Sequence, residues 1–123
     1  MEATTQSTLF TRIGGMGAVN AAVDIFYGKV LQDDRVNHFF RHIDMEKQSG
    51  KLKAFMAYAF GAPLPYSGKA LREAHQHMHL QEDHFNAVAE QLVSTLKELN
   101  VAQGLIDEVV TVVLTTKNDV LNL

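Results

Sequence analysis

The stretch VNAAVDIFYGKVL, residues 19–31, decides the fold class of this chain. Apolar side chains recur at intervals of three and four residues, the spacing that collects them on one face of an α-helix rather than on the alternating faces of a strand. The residues on this face are Val19, Ala22, Val23, Phe26, Tyr27, Val30 and Leu31. The stretch therefore predicts an amphipathic helix that carries a tyrosine on its buried face.

The same periodicity continues on both sides of this helix. Ser7 and Asp44 are predicted N-caps, because short polar side chains at these positions accept hydrogen bonds from the first free backbone N–H groups of a helix. Gly14-Gly15 and the loop 61–68, with both prolines, are predicted breaks. The other helices are predicted over about 8–13, 45–60, 69–78, 82–98 and 102–120. Since no strand pattern competes, the predicted fold class is all-α.

Length and composition narrow the class of protein. The 123 residues predict a single domain over 1–123, with 1–6 as a disordered tail. The absence of cysteine excludes disulfides, thiolate metal sites and thiolate nucleophiles. The net charge is −3, and the basic residues are scattered, which argues against a nucleic-acid surface. No signal sequence or membrane span is visible, so we expect a cytoplasmic protein that binds no membrane.

His75 is the candidate ligand of a metal or haem. It shares the apolar stripe of its predicted helix with Leu71, Ala74 and Met78, at positions i, i+3, i+4 and i+7. The pattern therefore turns an imidazole inward. Two interpretations remain open: a core histidine that is hydrogen-bonded to a backbone carbonyl, or an axial ligand of iron.

Gln48 and Tyr27 are polar groups on apolar helix faces. Gln48 heads the inner face of the helix predicted over 45–60, and Tyr27 lies on the stripe of the helix before it. Each has an ordinary structural interpretation, Gln48 as a boundary residue near a helix start and Tyr27 as a core tyrosine whose hydroxyl reaches water. The functional interpretation is a pair of hydrogen-bond donors that face a bound diatomic ligand.

Lys51 and several aromatic residues are further candidates. Lys51 is either an exposed lysine at the rim of its helix, or a group that binds iron or pairs with a haem propionate. Phe39, Phe40, Phe55, Met56 and Phe60 suit either an ordinary core or the walls around a flat apolar ring.

Other motifs are weaker. His38 and His42, like His75 and His79, have the i, i+4 spacing with which two histidines on one helix hold zinc, but no acidic partner completes a known zinc motif. The glycine-rich segment 14–17 is not followed by Gly-Lys-Ser/Thr and is not a phosphate loop.

Taken in order, segments of this sequence resemble the truncated (two-over-two) haemoglobins of group I. The resemblance runs from about Leu9 to Leu121. The segments that carry it are Leu9-Phe10 with Ile13-Gly14-Gly15, Ala22-Val23-Asp24 with Phe26-Tyr27, Phe39-Phe40, Asp44-Met45 with Lys47-Gln48, Ala54-Phe55, Phe60-Gly61, Leu71-Arg72 with Ala74-His75, His84-Phe85, and Asp119-Val120-Leu121.

The resemblance implies a two-over-two helical sandwich around haem b. His75 would be the proximal ligand of the iron, Tyr27 and Gln48 the distal donors, and Phe40 the phenylalanine stacked on the ring. Further contacts with the haem would come from Phe39, Leu52 and Phe55.

This chain departs from the family pattern at several positions. Lys51 stands where some relatives carry a histidine that binds the iron, so lysine ligation in the ferric state is the corresponding hypothesis. Relatives with covalent haem use a histidine in the last helix. No histidine follows His84 here, so we expect non-covalent haem. Leu52 replaces a polar residue and leaves a smaller distal network. Candidate partners of the haem propionates are Lys51, Lys53, Tyr66 and Arg72.

The resemblance implies a monomeric protein that binds dioxygen reversibly, with nitric oxide and carbon monoxide as further ligands. It would store, carry or sense oxygen. The alternative is a nitric oxide dioxygenase that uses bound dioxygen and an external, unidentified reductase. A third interpretation, a helical interaction module without haem, leaves the inward Gln48 and His75 unexplained.

Overall fold

The computed structural model describes residues 8–61, 73 and 75–122, and every regular element in these ranges is helical. This confirms the predicted all-α fold class. Two 3₁₀ turns lie at Asn37–Phe40 and Gln76–Met78. The α-helices are α1 (Leu9–Ile13), α2 (Gly15–Val30), α3 (Met45–Ala59), α4 (Glu82–Glu98), α5 (Gln103–Thr115) and α6 (Lys117–Leu121).

The N-terminal helix α1 is capped by Thr8, and the prediction of Ser7 was wrong. The Thr8 hydroxyl accepts the backbone N–H of Thr11 at 3.1 Å. Gly14 then adopts a φ of +119°, a backbone conformation that favours glycine. The predicted break between the first two helices is therefore confirmed.

The helix α2 is the centre of the core and packs against α1, α3 and α4. The predicted apolar face is confirmed, with one exception: Leu31 is 41% exposed, because α2 ends one residue before it. The buried residues of this face are Val19, Ala22, Val23, Phe26, Tyr27 and Val30.

The helices α3 and α4 have the bounds that the sequence predicted to within one residue. Asp44 caps α3, since its carboxylate accepts the backbone N–H groups of Glu46 and Lys47 at 3.1 and 3.3 Å. Three fully buried residues, Ala57 on α3 and Ala87 and Thr95 on α4, were missed. The Thr95 hydroxyl donates to the Gln91 carbonyl at 2.8 Å, which makes its burial possible.

The single last helix predicted over about 102–120 was wrong, because the structure divides it at Thr116 into α5 and α6. The hydroxyls of Thr115 and Thr116 donate to the carbonyls of Val112 and Val113, three residues earlier. Such side-chain bonds compete with the backbone pattern of an α-helix. The break follows from this local chemistry, which the apolar periodicity does not reveal.

The predicted helix 69–78 lies mostly outside the described residues, as do the predicted tail 1–6, most of the loop 61–68, Leu71 and Ala74. Gln76–Met78 form a 3₁₀ turn rather than a continuing α-helix, and His75 is its N-cap. Glu73 and His75 are α-helical, so His75 stands where this helix gives way to the 3₁₀ turn.

The turn after α2 is fixed to α4 by the carboxylate of Asp33 and by an ion pair between Arg35 and Glu90. Asp33 accepts hydrogen bonds from the backbone and guanidinium of Arg35 at 2.7–3.0 Å and from the Gln91 amide at 2.9 Å. The hydrogen bonds from Arg35, followed by the one from Gln91, hold the pKa of Asp33 well below its usual range. This anchor sets the position of the Asn37–Phe40 turn.

None of the described helices is both long enough and apolar enough to cross a membrane.

Gly61→Ala is expected to lower the free energy of unfolding by about 1–3 kcal/mol. Gly61 has a φ of +110°, and a Cβ there would lie 2.8 Å from the Cβ of Thr8. The measurement is urea unfolding of the haem-loaded protein. The matched control is Gly28→Ala on the exposed side of α2, where nothing lies within 4 Å. An equal effect of the two substitutions would contradict this account of the Gly61 site.

Candidate functional site

The site begins with a hydrogen bond between α2 and α3. The Nε2 of Gln48 donates to the Tyr27 hydroxyl oxygen at 3.1 Å. Tyr27 is 7% exposed, and Gln48, in the first turns of α3, is half-buried. The core face of α2 and the Asp44 cap of α3 therefore bring together two polar groups that are 21 residues apart in sequence.

The Tyr27 phenol has its proton available. Burial raises the pKa of the Tyr27 hydroxyl, and the hydrogen bond from Gln48 lowers it by a smaller amount. The phenol is therefore protonated at neutral pH. Among the described residues, none accepts this proton. A buried donor without an acceptor costs about 1–3 kcal/mol, so this arrangement favours a ligand that supplies an acceptor atom.

Aromatic rings border the Tyr27 hydroxyl and its Gln48 partner. Phe40 meets Tyr27 edge to face, with ring centroids 5.7 Å apart, and Phe26 lies 5.3 Å away. The half-buried Phe40 comes from the turn that Asp33 anchors. An apolar border of this kind keeps the dielectric low and strengthens hydrogen bonds inside it.

Phe39 points to a different set of neighbours. Its ring packs edge to face on His84, with centroids 5.0 Å apart, and lies 4.1 Å from the ring of His38. The Nδ1 of His84 accepts the Gln81 backbone N–H at 3.0 Å, which leaves Nε2 to carry the proton of the neutral ring. The contact between Gln81 and His84 was not predicted, although Gln81-x-x-His84 has the spacing of a capping box.

The remaining candidates on α3 differ in exposure. Leu52 and Phe55 are half-buried, and Leu52 packs against the core. Lys51 is exposed, and no described residue forms an ion pair with it. Lys53 is half-buried and pairs with Asp24 on α2 at 3.3 Å.

His75 is half-buried at the start of the Gln76–Met78 turn. Two other candidates of the sequence analysis, Tyr66 and Arg72, lie outside the described residues.

The zinc alternative finds little support in the geometry of the histidine pairs. His38 lies inside a 3₁₀ turn that ends before His42, and His79 follows a 3₁₀ turn with a φ of +53°. Neither pair therefore spans one turn of a regular α-helix. Across residues 8–61, 73 and 75–122, no three histidine, aspartate or glutamate side chains are grouped to hold a metal ion.

The donor set suits haem better than an isolated metal ion. One half-buried imidazole matches the axial ligand that haem iron needs, since the porphyrin supplies the other four nitrogens. The buried phenol and amide match a polar gas site, and Phe40 supplies an apolar edge. These residues fit haem without any cluster of metal ligands.

A comparison with protein families matches residues 8–122 to the bacterial-like globins. The group 1 truncated haemoglobin GlbN of Synechocystis is 50% identical over 122 residues, and the match covers 94% of this chain and 98% of that protein. The group 1 truncated haemoglobin of Tetrahymena thermophila is 45% identical, with coverages of 94% and 96%.

Solved structures agree with these sequence matches. The 2/2 haemoglobin of Synechococcus sp. PCC 7002, in the cyanomet state with covalently attached haem, is 51% identical with a TM-score of 0.90, covering 95% of this chain and all of that one. The Fe(III) truncated haemoglobin of Tetrahymena pyriformis is 43% identical, with a TM-score of 0.88 and coverages of 94% and 98%. The chain thus belongs to the bacterial-like globins and, within that family of haem proteins, to the group 1 truncated haemoglobins.

Proposed function

We propose that this protein holds haem b non-covalently through His75 and binds dioxygen reversibly. The observation that carries the proposal is the Tyr27–Gln48 pair, in which the proton of the buried phenol has no acceptor among the described residues. A helical core does not require such a pair, whereas a gas site does.

The roles of the residues follow from their chemistry. Haem supplies an iron that binds a diatomic gas. With haem bound, the Tyr27 hydroxyl and the Gln48 amide would donate hydrogen bonds to a diatomic ligand that carries partial negative charge. Gln48 also donates to the Tyr27 oxygen, and this contact fixes the phenol and leaves its proton directed away from Gln48. Phe40 excludes water from the edge of the pair.

The haem contacts extend to the half-buried apolar residues of the same region. Phe39, Leu52 and Phe55 would line the ring with Phe40, and Leu52 adds no further hydrogen-bond donor to the distal side. Lys53, Tyr66 and Arg72 stay predictions as propionate partners. Lys53 is already paired with Asp24, so its ammonium is less available to a propionate than an unpaired one.

Non-covalent attachment is supported by the residues of α5 and α6. No histidine follows His84, and Thr115 and Thr116 stand at the junction of the two helices. Their hydroxyls donate hydrogen bonds to backbone carbonyls, and a threonine hydroxyl is a poor nucleophile.

Lys51 is proposed as a second, ferric-state ligand of the iron. It follows Gln48 by three residues on α3, close to the same helix face, and no carboxylate among the described residues engages its ammonium. A lysine must lose its proton to bind iron, so such ligation should strengthen as the pH rises.

The second candidate function is nitric oxide dioxygenation. Two donors on one ligand slow its release, and a retained oxidant is better suited to reaction than to delivery. The net reaction joins nitric oxide, dioxygen and one electron to give nitrate, and an external reductase must supply the electron. Sustained consumption of nitric oxide with a reductant present would distinguish this activity from storage, which gives one stoichiometric burst. The reductase, a monomeric state and a cytoplasmic location stay predictions.

His75→Ala is expected to abolish tight haem binding, because it removes the axial imidazole. The measurement is the optical spectrum of the ferric and ferrous protein after haem titration, beside the exposed control His42→Ala. A strong Soret band in wild type and in the control, but not in His75→Ala, is the expected result. A wild-type chain that binds no haem would overturn the proposal.

Tyr27→Phe is expected to speed dioxygen release by roughly 10- to 100-fold, the equivalent of one hydrogen bond to a charged acceptor. Stopped-flow displacement of dioxygen by carbon monoxide measures the rate. The control is Tyr58→Phe, which removes a hydroxyl from the exposed side of α3. Release as slow as in wild type would exclude the phenol as a donor to dioxygen.

Lys51→Ala is expected to remove a low-spin ferric component that grows between neutral and alkaline pH. The control is Lys53→Ala, which removes another ammonium from α3, one that is paired with Asp24 on α2. Ferric spectra recorded across this pH range decide the matter. If Lys51→Ala and wild type give the same spectra throughout, lysine ligation is excluded.

A further inference from the structure

Most cations that the structure describes have an anionic partner. The ion pairs connect Arg12 with Glu108, Lys29 with Glu98, Arg35 with Asp33 and Glu90, Lys53 with Asp24, and Lys117 with Glu82. Lys97 has no partner among the described residues, but it lies in the last turn of α4, where the helix dipole favours a positive charge.

Arg41, in the segment that leads into α3, and Lys47 and Lys51, one turn apart on α3, are different, and we call these three residues the α3 cation patch. All three are exposed, and no described carboxylate lies within ion-pair distance of them. One oxygen of the nearby Asp44 carboxylate accepts the backbone N–H groups that it caps. Glu46 is exposed in the same turn and forms no ion pair with the patch.

The patch lies where positive charge is unfavourable for folding. Lys47 is in the first turn of α3, where the helix dipole disfavours a cation. Lys47 and Lys51 are four residues apart on one helix, a spacing at which like charges destabilise a helix. Cations that oppose folding and lack partners point to an anion outside the described chain.

The patch also borders the gas site. Gln48, which donates to Tyr27, directly follows Lys47 and precedes Lys51 by three residues. Electron transfer weakens steeply with distance, so a donor bound on the patch would be well placed to reduce a group held beside Gln48.

We propose that the α3 cation patch docks an acidic electron-donor protein. This rests on the proposed function, because a haem iron in the ferric state must be reduced before it binds dioxygen. The chain carries a net charge of −3, so most of its surface repels an acidic donor. A local cluster of cations on such a surface steers the donor to one orientation. Arg41 and Lys47 remain available for docking even when Lys51 is occupied at the haem.

The test uses the haem-loaded ferric protein and a reduced acidic [2Fe–2S] ferredoxin as the probe, mixed under carbon monoxide in a stopped-flow instrument. Arg41→Glu and Lys47→Glu are expected to lower the second-order rate constant for reduction about tenfold at low ionic strength. The difference should shrink as sodium chloride is added, because salt screens exposed charges.

The matched control is Lys97→Glu, which makes the same change in net charge on α4 and should stay near the wild-type rate. A second donor, the small cation hexaammineruthenium(II), should react no more slowly with the patch variants than with wild type. If a glutamate variant loses its Soret band, Arg41→Gln and Lys47→Gln replace it in the same measurement.

An equal loss of rate in Lys97→Glu, or no loss in the patch variants, overturns the docking surface. A second pair of results would also overturn it: wild-type protein binds phosphatidylserine vesicles through the patch, and its reduction by ferredoxin does not change with salt. These results would assign the patch to a membrane. Normal haem and carbon monoxide spectra in all variants would leave the proposed gas-binding function intact in either case.

Discussion

The hydrogen bond from Gln48 to Tyr27 is the constraint around which the site is organised. A tyrosine ring buried on the core face of α2 must bring its hydroxyl with it, and a buried hydroxyl needs partners. Gln48 supplies one of them. The Asp44 cap makes α3 begin at Met45, three residues before Gln48, and this start sets the position of the amide. The second partner is not found among the described residues, and this observation supports the proposal that the pair faces a ligand.

The core around α2 makes this arrangement rigid. Val19, Val23 and Val30 are fully buried, so α2 cannot rotate without exposing apolar surface. The Asp33 carboxylate then ties the following turn to α4 through Gln91, and that turn carries Phe40 to the edge of Tyr27. Packing and these polar contacts therefore hold Tyr27 and Phe40 in place.

The two sides of the site are supported differently. Tyr27 and Gln48 stand on helices of 16 and 15 residues. His75 stands at the start of a three-residue 3₁₀ turn. The exposed cations of α3 lie on the well-supported distal side, where a docking partner would meet a fixed surface.

The sequence alone determined the helical class, the bounds of α3 and α4 to within a residue, and the buried face of α2. These depend on apolar periodicity and on caps, which are local properties of the chain. The resemblance to truncated haemoglobins, carried by motifs along the whole chain, was confirmed by family and structure comparisons. The roles assigned to His75, Tyr27 and Gln48 stay proposals.

Only the tertiary structure decided what depends on neighbours distant in sequence. It buried Ala57 and Thr95, turned Phe39 toward His84, and divided the last helix where threonine hydroxyls bond to backbone carbonyls. It also separated the cations with partners on other helices from Arg41, Lys47 and Lys51, which have none among the described residues. A one-dimensional pattern shows which residues face inward, but the contacts between helices depend on their packing in space.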